Sequence, residues 1–166
     1  LWHITRDEFV LRDFLVNWLF VAFVDGVYRM RAEDVFEHLK SIGRRGATLG
    51  KEWSETTIDR VAHALLVIAR DFGFLVGGAA KEFTTYHLPE RSFMYLLHVL
   101  REANANPSKI IVAEDWRMFL MRPADVEQEL LRLHQFRKLE YHVAGSLVQL
   151  SLPSASSSEY AERMVA

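Results

Sequence analysis

Residues 41–76, SIGRRGATLGKEWSETTIDRVAHALLVIARDFGFLV, decide how the chain is read. They open with a basic, glycine-punctuated turn. Between Lys40 and Lys51 the chain carries Lys40, Arg44, Arg45 and Lys51 and no acid. Ser54 then stands where a helix N-cap belongs, since a serine hydroxyl satisfies a free amide of the first turn. Ile58, Val61, Ala62, Leu65, Leu66, Ile68, Ala69 and Phe72 recur at helical spacing and predict a buried stripe running to about Asp71. Glu55, Thr56, Thr57, Asp59, Arg60 and His63 are left near the exposed start of that helix. Gly73 stops it. Phe74–Val76 and Phe83–Leu88 then read as two strands joined through GGAAKE. Helix, turn, helix and strands is the order of a winged helix-turn-helix, whose second helix enters a nucleic-acid groove.

Upstream, Thr5-Arg6-Asp7-Glu8 has capping-box spacing and predicts a helix from Arg6 to Val24. Its apolar residues cover most of the circumference, as in a central, buried post. Its most apolar part, Phe14–Val24, is interrupted by Asn17 and falls well short of the roughly 20 apolar residues a bilayer span needs. Asp25-Gly26 turns the chain. Val35, Phe36, Leu39 and Ile42 then line one face of a helix from Ala32 to Ile42, with Gly43 as its C-cap.

Downstream, a helix is expected over Pro89–Ala103, a turn over Asn104–Ser108, and a further helix from about Val112. Pro123 opens a helix to about Lys138. Leu139, Tyr141 and Val143, then Val148, Leu150 and Leu152, alternate with polar residues around Ala144-Gly145-Ser146 and predict a hairpin. Pro153–Ser158 reads as a flexible exit and Glu159–Ala166 as a short tail. The expected fold class is mainly α, with tandem winged helix-turn-helix-like modules and small β-hairpins. The first module spans 1–88, the second 89–152, and the tail 153–166.

At 166 residues, half of them hydrophobic, the chain has enough apolar material for a folded core. Its formal net charge of −2 is not that of a strongly basic nucleic-acid binder, so any such contact must come from a local patch. The chain lacks cysteine, which excludes disulfides, thiolate metal sites and a cysteine nucleophile and fits the cytoplasm. The seven histidines have no metal-ligand spacing, and Gly77-Gly78 lacks the Lys-Ser/Thr of a phosphate loop. Glu114 and Asp115 are adjacent, so on a helix they diverge rather than work as an acid/base pair. Neither a catalytic signature nor a cofactor motif is visible, and the expectation is a protein that is not an enzyme and uses no cofactor. The chain begins at Leu1 rather than a methionine, so any upstream targeting signal lies outside it.

The basic turn and the helix after it are the candidate nucleic-acid site. Arg44, Arg45 and Lys51 suit phosphate oxygens, and the free amides after Ser54 also favour an anion. Thr56, Thr57, Arg60 and His63 lie on turns that can face a groove, where Arg60 suits a guanine edge. Glu52, Glu55 and Asp59 oppose this, and a solvated basic loop before an ordinary core helix is the competing reading. The second module is poorer in charge for the purpose, since its last helix begins with Asp125, Glu127 and Glu129.

Four pieces of the chain carry a resemblance. They are Arg12-Asp13-Phe14-Leu15 with Trp18; Trp53-Ser54 with Thr57; Asp115-Trp116 with Phe119-Leu120; and Asp125-Val126 before the closing helix and hairpin. Together they resemble the BrxA family of bacterial BREX phage-resistance systems, over about residues 10–152. The resemblance implies a mostly helical protein with winged-helix elements that binds DNA and has no enzymatic activity of its own. It also leaves RNA open, and it brings no catalytic residue to carry over. The resulting expectation is a non-enzymatic, cytoplasmic DNA-binding component of a phage-defence system. Its partners would be double-stranded DNA, or RNA, and other phage-defence proteins, with no membrane. The rival is a protein–protein interaction scaffold of the same system.

Overall fold

The computed structural model describes residues 1–45 and 53–165, with side chains for all of these but 43–45. The chain is mainly helical with small antiparallel sheets. It divides into two units, Leu1–Tyr86 and His87–Ala166.

The first unit begins with α1 (Ile4–Asp7), α2 (Phe9–Asp13), a π-helical segment (Phe14–Leu19) and α3 (Phe20–Val24). The single helix expected from Arg6 to Val24 is therefore interrupted. Glu8 leaves helical geometry (φ −103°, ψ 80°) between α1 and α2. Thr5 makes no capping box. It is buried inside α1, and its hydroxyl donates to the Trp2 carbonyl at 2.8 Å. Phe14, Leu15 and Leu19 are fully buried, and Phe14 stacks on Trp18 at 5.3 Å.

A two-residue strand, β1 (Arg29–Met30), precedes α4 (Ala32–Arg45). Val35, Leu39 and Ile42 form the buried face of α4, which packs on α5 (Glu55–Asp71). Gly43 does not cap α4. The helix continues through it to Arg45, tolerating the roughly 1 kcal/mol a helical glycine costs. α4 is tied back to the N-terminal helices by a near-buried pair. Asp13 Oδ2 lies 2.8 Å from His38 Nε2, and Asp13 Oδ1 accepts from Asn17 Nδ2 at 2.8 Å. The first contact is an ion-pair approach rather than an aligned hydrogen bond.

After α5 come β2 (Leu75–Val76) and β3 (Lys81–Phe83). The second of these strands begins earlier and ends earlier than the Phe83–Leu88 expected. The sheet runs β1-β3-β2, all antiparallel, with Met30 opposite Lys81 and Leu75 opposite Phe83. β1 is absent from the sequence expectation. It exists because β3 offers a free edge to two residues too few to show alternation.

The second unit contains α6 (Glu90–Ala103), α7 (Pro107–Ile111), a 3₁₀ segment (Glu114–Phe119) and α8 (Pro123–Gln135). A hairpin of β4 (Glu140–Ala144) and β5 (Leu147–Ser151) follows, then α9 (Ser157–Val165). The helix expected from Val112 is replaced by α7 and the 3₁₀ segment, which break around buried Trp116. Its indole N–H donates to the Ile110 carbonyl at 2.7 Å, and its ring stacks on Phe93 at 4.7 Å. Leu120, at φ 57°, lets the chain turn back so that the Met121 amide meets the Trp116 carbonyl. In the hairpin Tyr141 pairs with Leu150, and both point to the core. The segment read as a flexible exit is held. Ser156 Oγ accepts from the Glu159 amide and Glu159 Oε2 from the Ala155 amide, so α9 starts on a capping pair. α9 packs on α6.

Candidate nucleic-acid interface

α5 begins as its sequence dictates. Ser54 is extended (φ −65°, ψ 155°), and its Oγ accepts the Thr57 amide at 3.3 Å. The Thr57 hydroxyl also meets Ser54 Oγ, at 2.9 Å. Thr57 is thus exposed but shares its hydroxyl with the cap. Ile58, Ala62, Leu65, Leu66 and Ala69 take the buried stripe. Burying each Leu or Ile is worth about 1.5–3 kcal/mol, so this stripe fixes which face of the helix is left to solvent. Phe72 is not part of it. It sits at the C-cap and is exposed.

The solvent face carries Thr56, Arg60, His63, Ala64 and Val67. Arg60 has no hydrogen-bond or ion-pair partner among the described residues. His63 folds back along the helix, its Nδ1 lying 2.9 Å from the Asp59 carbonyl and 3.3 Å from Asp59 Oδ1. The acid expected to oppose a nucleic acid is therefore turned toward a neighbouring imidazole. At the far end, Arg70 is engaged by Asp71 through Nε at 3.0 Å and Nη2 at 2.8 Å. Ala64 and Val67 were not singled out in the sequence. Helical spacing from Arg60 was the available signal, and apolar side chains on such a face suit thymine methyl groups.

The basic turn is only partly placed. Arg44 and Arg45 belong to the last turn of α4, and their side chains lie outside the described ones. Lys51 lies outside the described residues. Two exposed cations that sequence reasoning passed over, Arg29 and Arg31, flank the β1 edge.

The β2–β3 turn is built from its own backbone. Gly77 has φ +107°, and a Cβ there would lie 2.4 Å from the Ala80 carbonyl oxygen. Lys81, which the sequence places in the GGAAKE connection between two strands, is buried. Its ammonium donates to the carbonyls of Gly77 and Gly78. Its charge holds the turn and is not presented to a ligand.

In the second unit three cations near α8, Arg122, Arg132 and Lys138, are matched, while Arg137 is exposed and has no hydrogen-bond or ion-pair partner among the described residues. Arg132 donates to Glu129 (2.6 Å) and Glu90 (3.0 Å), and Lys138 also donates to Glu90. Hydrogen bonds from Lys138 and Arg132 hold the Glu90 carboxyl below its ordinary range. Arg122 makes a two-pronged contact to Asp125, whose Oδ2 also accepts the Arg122 amide at 2.8 Å. The guanidinium holds that carboxyl low as well.

Among the described residues no cluster of His, Asp and Glu is placed to hold a metal ion, and no helix is long and apolar enough to cross a membrane. The family pieces occupy structural positions: Asp13 in the tie to α4, Ser54 at the cap of α5, Trp116 in the core, and Asp125 at the start of α8.

Comparison with known proteins bears on the same residues. No curated protein and no solved structure matches the chain. The family model described as BrxA matches residues 1–99, which is more than half the chain and includes the whole first unit. The chain belongs to the BrxA family, whose members are components of bacterial BREX phage-resistance systems.

Proposed function

We propose that the protein is a non-enzymatic, cytoplasmic component of its phage-defence system that binds double-stranded DNA through the first unit, acting as a winged helix. The observation that carries this is the face of α5. It presents Thr56, Arg60, Ala64 and Val67 to solvent, with Arg60 unpaired among the described residues. The surrounding elements support it. A helical pair, α4 and α5, sits with a three-stranded sheet in the order β1-β3-β2, and a β2–β3 turn follows the second helix. A helix so exposed can lie in the major groove, and cations beside it hold phosphates. Arg44, Arg45 and Lys51 supply those phosphate contacts in this reading, with Thr57 and His63 at the edge of the groove face.

The second unit favours a different role. Arg122, Arg132 and Lys138 near α8 are matched by Asp125, Glu129 and Glu90, which leaves Arg137 as the unmatched cation there and a weaker positive field for phosphate. We assign this unit to contacts with other proteins of the system.

The test is fluorescence anisotropy of the intact protein with a labelled duplex at about 150 mM salt, where unspecific binders of this kind have dissociation constants of roughly 1–100 μM. Arg44→Ala/Arg45→Ala is expected to weaken binding and flatten its salt dependence. Wild-type protein that shows no binding in that range leaves only the scaffold reading. A folded double variant with unchanged affinity removes the end of α4 from the site.

A further inference from the structure

The exposed face of α5 changes chemistry along its length. Thr56, Arg60, Ala64 and Val67 are all exposed and follow one another at intervals of four, four and three residues. At about 100° per residue they fall within an arc of about 80°. Several hydrogen-bonding groups around this line are committed inside the protein. The Thr57 hydroxyl meets Ser54 Oγ, and Arg70 is held by Asp71 through Nε and Nη2. His63 Nδ1 meets the Asp59 carbonyl, which draws the ring back toward the helix start. The open hydrogen-bonding capacity of the line therefore lies at Thr56 and Arg60. Beyond Arg60 the line is apolar, and Ala64 and Val67 present only methyl groups.

In a duplex seated on this face, both apolar residues stand where bases are read. His63, Ala64 and Val67 follow Arg60 by three, four and seven residues. The same intervals carry the base-reading side chains of homeodomain helices that lie in the major groove. At about 1.5 Å per residue, Ala64 is about 6 Å and Val67 about 10 Å along the axis from Arg60. Base pairs repeat about every 3.4 Å, so these two side chains reach the next two or three pairs. The floor of the major groove displays donors and acceptors at every pair and one apolar group, the C5 methyl of thymine. A methyl-ended side chain gains by covering that group, whereas against an amino group or a bare ring edge it only displaces water.

We propose that Ala64 and Val67 make α5 selective for thymine, through contact with C5 methyl groups within about three base pairs of the one met by Arg60. This deepens the duplex-binding reading above and rests on it.

Fluorescence anisotropy of the intact protein at about 150 mM salt tests it with two duplexes of one mixed, thymine-rich sequence. The second carries deoxyuridine in place of every thymidine. The two have the same charge and the same donors and acceptors, and differ only in the methyl groups. A covered methyl is worth about fourfold in affinity, so the deoxyuridine duplex is expected to bind about 4- to 15-fold more weakly. Ala64→Ser/Val67→Ser changes two exposed positions and is expected to keep the fold. In that variant the ratio is expected to fall to about one, with affinity for the deoxyuridine duplex little changed. A ratio near one for the wild-type protein, with micromolar binding to both duplexes, overturns the proposal and leaves duplex binding standing. A folded double variant that keeps the wild-type ratio overturns it as well, since the difference then lies in the shape of the DNA. No binding to either duplex removes the duplex-binding reading, and this proposal with it.

Discussion

Arg60→Ala isolates the helix from the rest of the basic surface. Arg60 is exposed and without a partner among the described residues, so its removal leaves folding stability within about 0.5 kcal/mol. Its effect on DNA depends on what it touches. If the guanidinium meets a guanine edge, the loss is about 1–3 kcal/mol, or roughly 5- to 150-fold on a preferred sequence and much less on others. If it meets a phosphate, affinity falls on every sequence alike, and the slope of log K against log salt drops by about 0.9. Over a fourfold change in salt that slope is worth about 3.5-fold per phosphate contact, well within the reach of anisotropy titrations at 50 and 200 mM. Arg70→Ala is the control on the same helix. Its guanidinium is already committed to Asp71, at 2.8 Å, and its loss is expected to change DNA affinity little. A folded Arg60→Ala protein with wild-type affinity and wild-type salt slope refutes the reasoning. So does an Arg70→Ala protein that loses as much as Arg60→Ala.

Two further outcomes follow from the packing. Gly77→Ala forces φ +107° on a residue with a Cβ and sets that atom 2.4 Å from the Ala80 carbonyl oxygen. A loss of about 2–3 kcal/mol is expected in denaturant unfolding of the first unit, and a loss below about 0.5 kcal/mol contradicts the geometry of the turn. Glu90 is held below its usual range by Lys138 and Arg132, and a carboxyl lowered in the folded state stabilises above its unfolded pKa, near 4.3. That contribution is lost as pH falls through the lower, folded value, so Glu90→Gln is expected to be less stable than wild type at pH 7. The difference is expected to close as pH falls through that lowered value, as followed by chemical denaturation.

How much of this was legible in the sequence depended on how local its cause was. The cap of α5 was readable because Ser54 and the Thr57 amide are three residues apart, and the exposed face of the helix follows from the buried stripe by periodicity alone. The hairpin was readable because Tyr141 and Leu150 alternate with polar neighbours on either side of Gly145. Thr5 misled because the same hydroxyl that makes a capping box in isolation is here buried and bonded to Trp2. Gly43 misled because a glycine in the last turn of a helix and one just beyond it look alike in sequence. Lys81 is the instructive case. In sequence this lysine is only one residue of the GGAAKE connection between two strands, with nothing to mark it as internal. It becomes an internal fastener only once the turn bends Gly77 and Gly78 over its side chain. The cavity lined by His98, Arg101, Ser151, Leu152, Ser154 and Ala155 is further from local reach still. It needs a helix residue and a serine from the segment before α9, and that segment's composition reads as a flexible exit. Faces formed within one helix are written in its periodicity, whereas surfaces formed where distant segments meet require the fold.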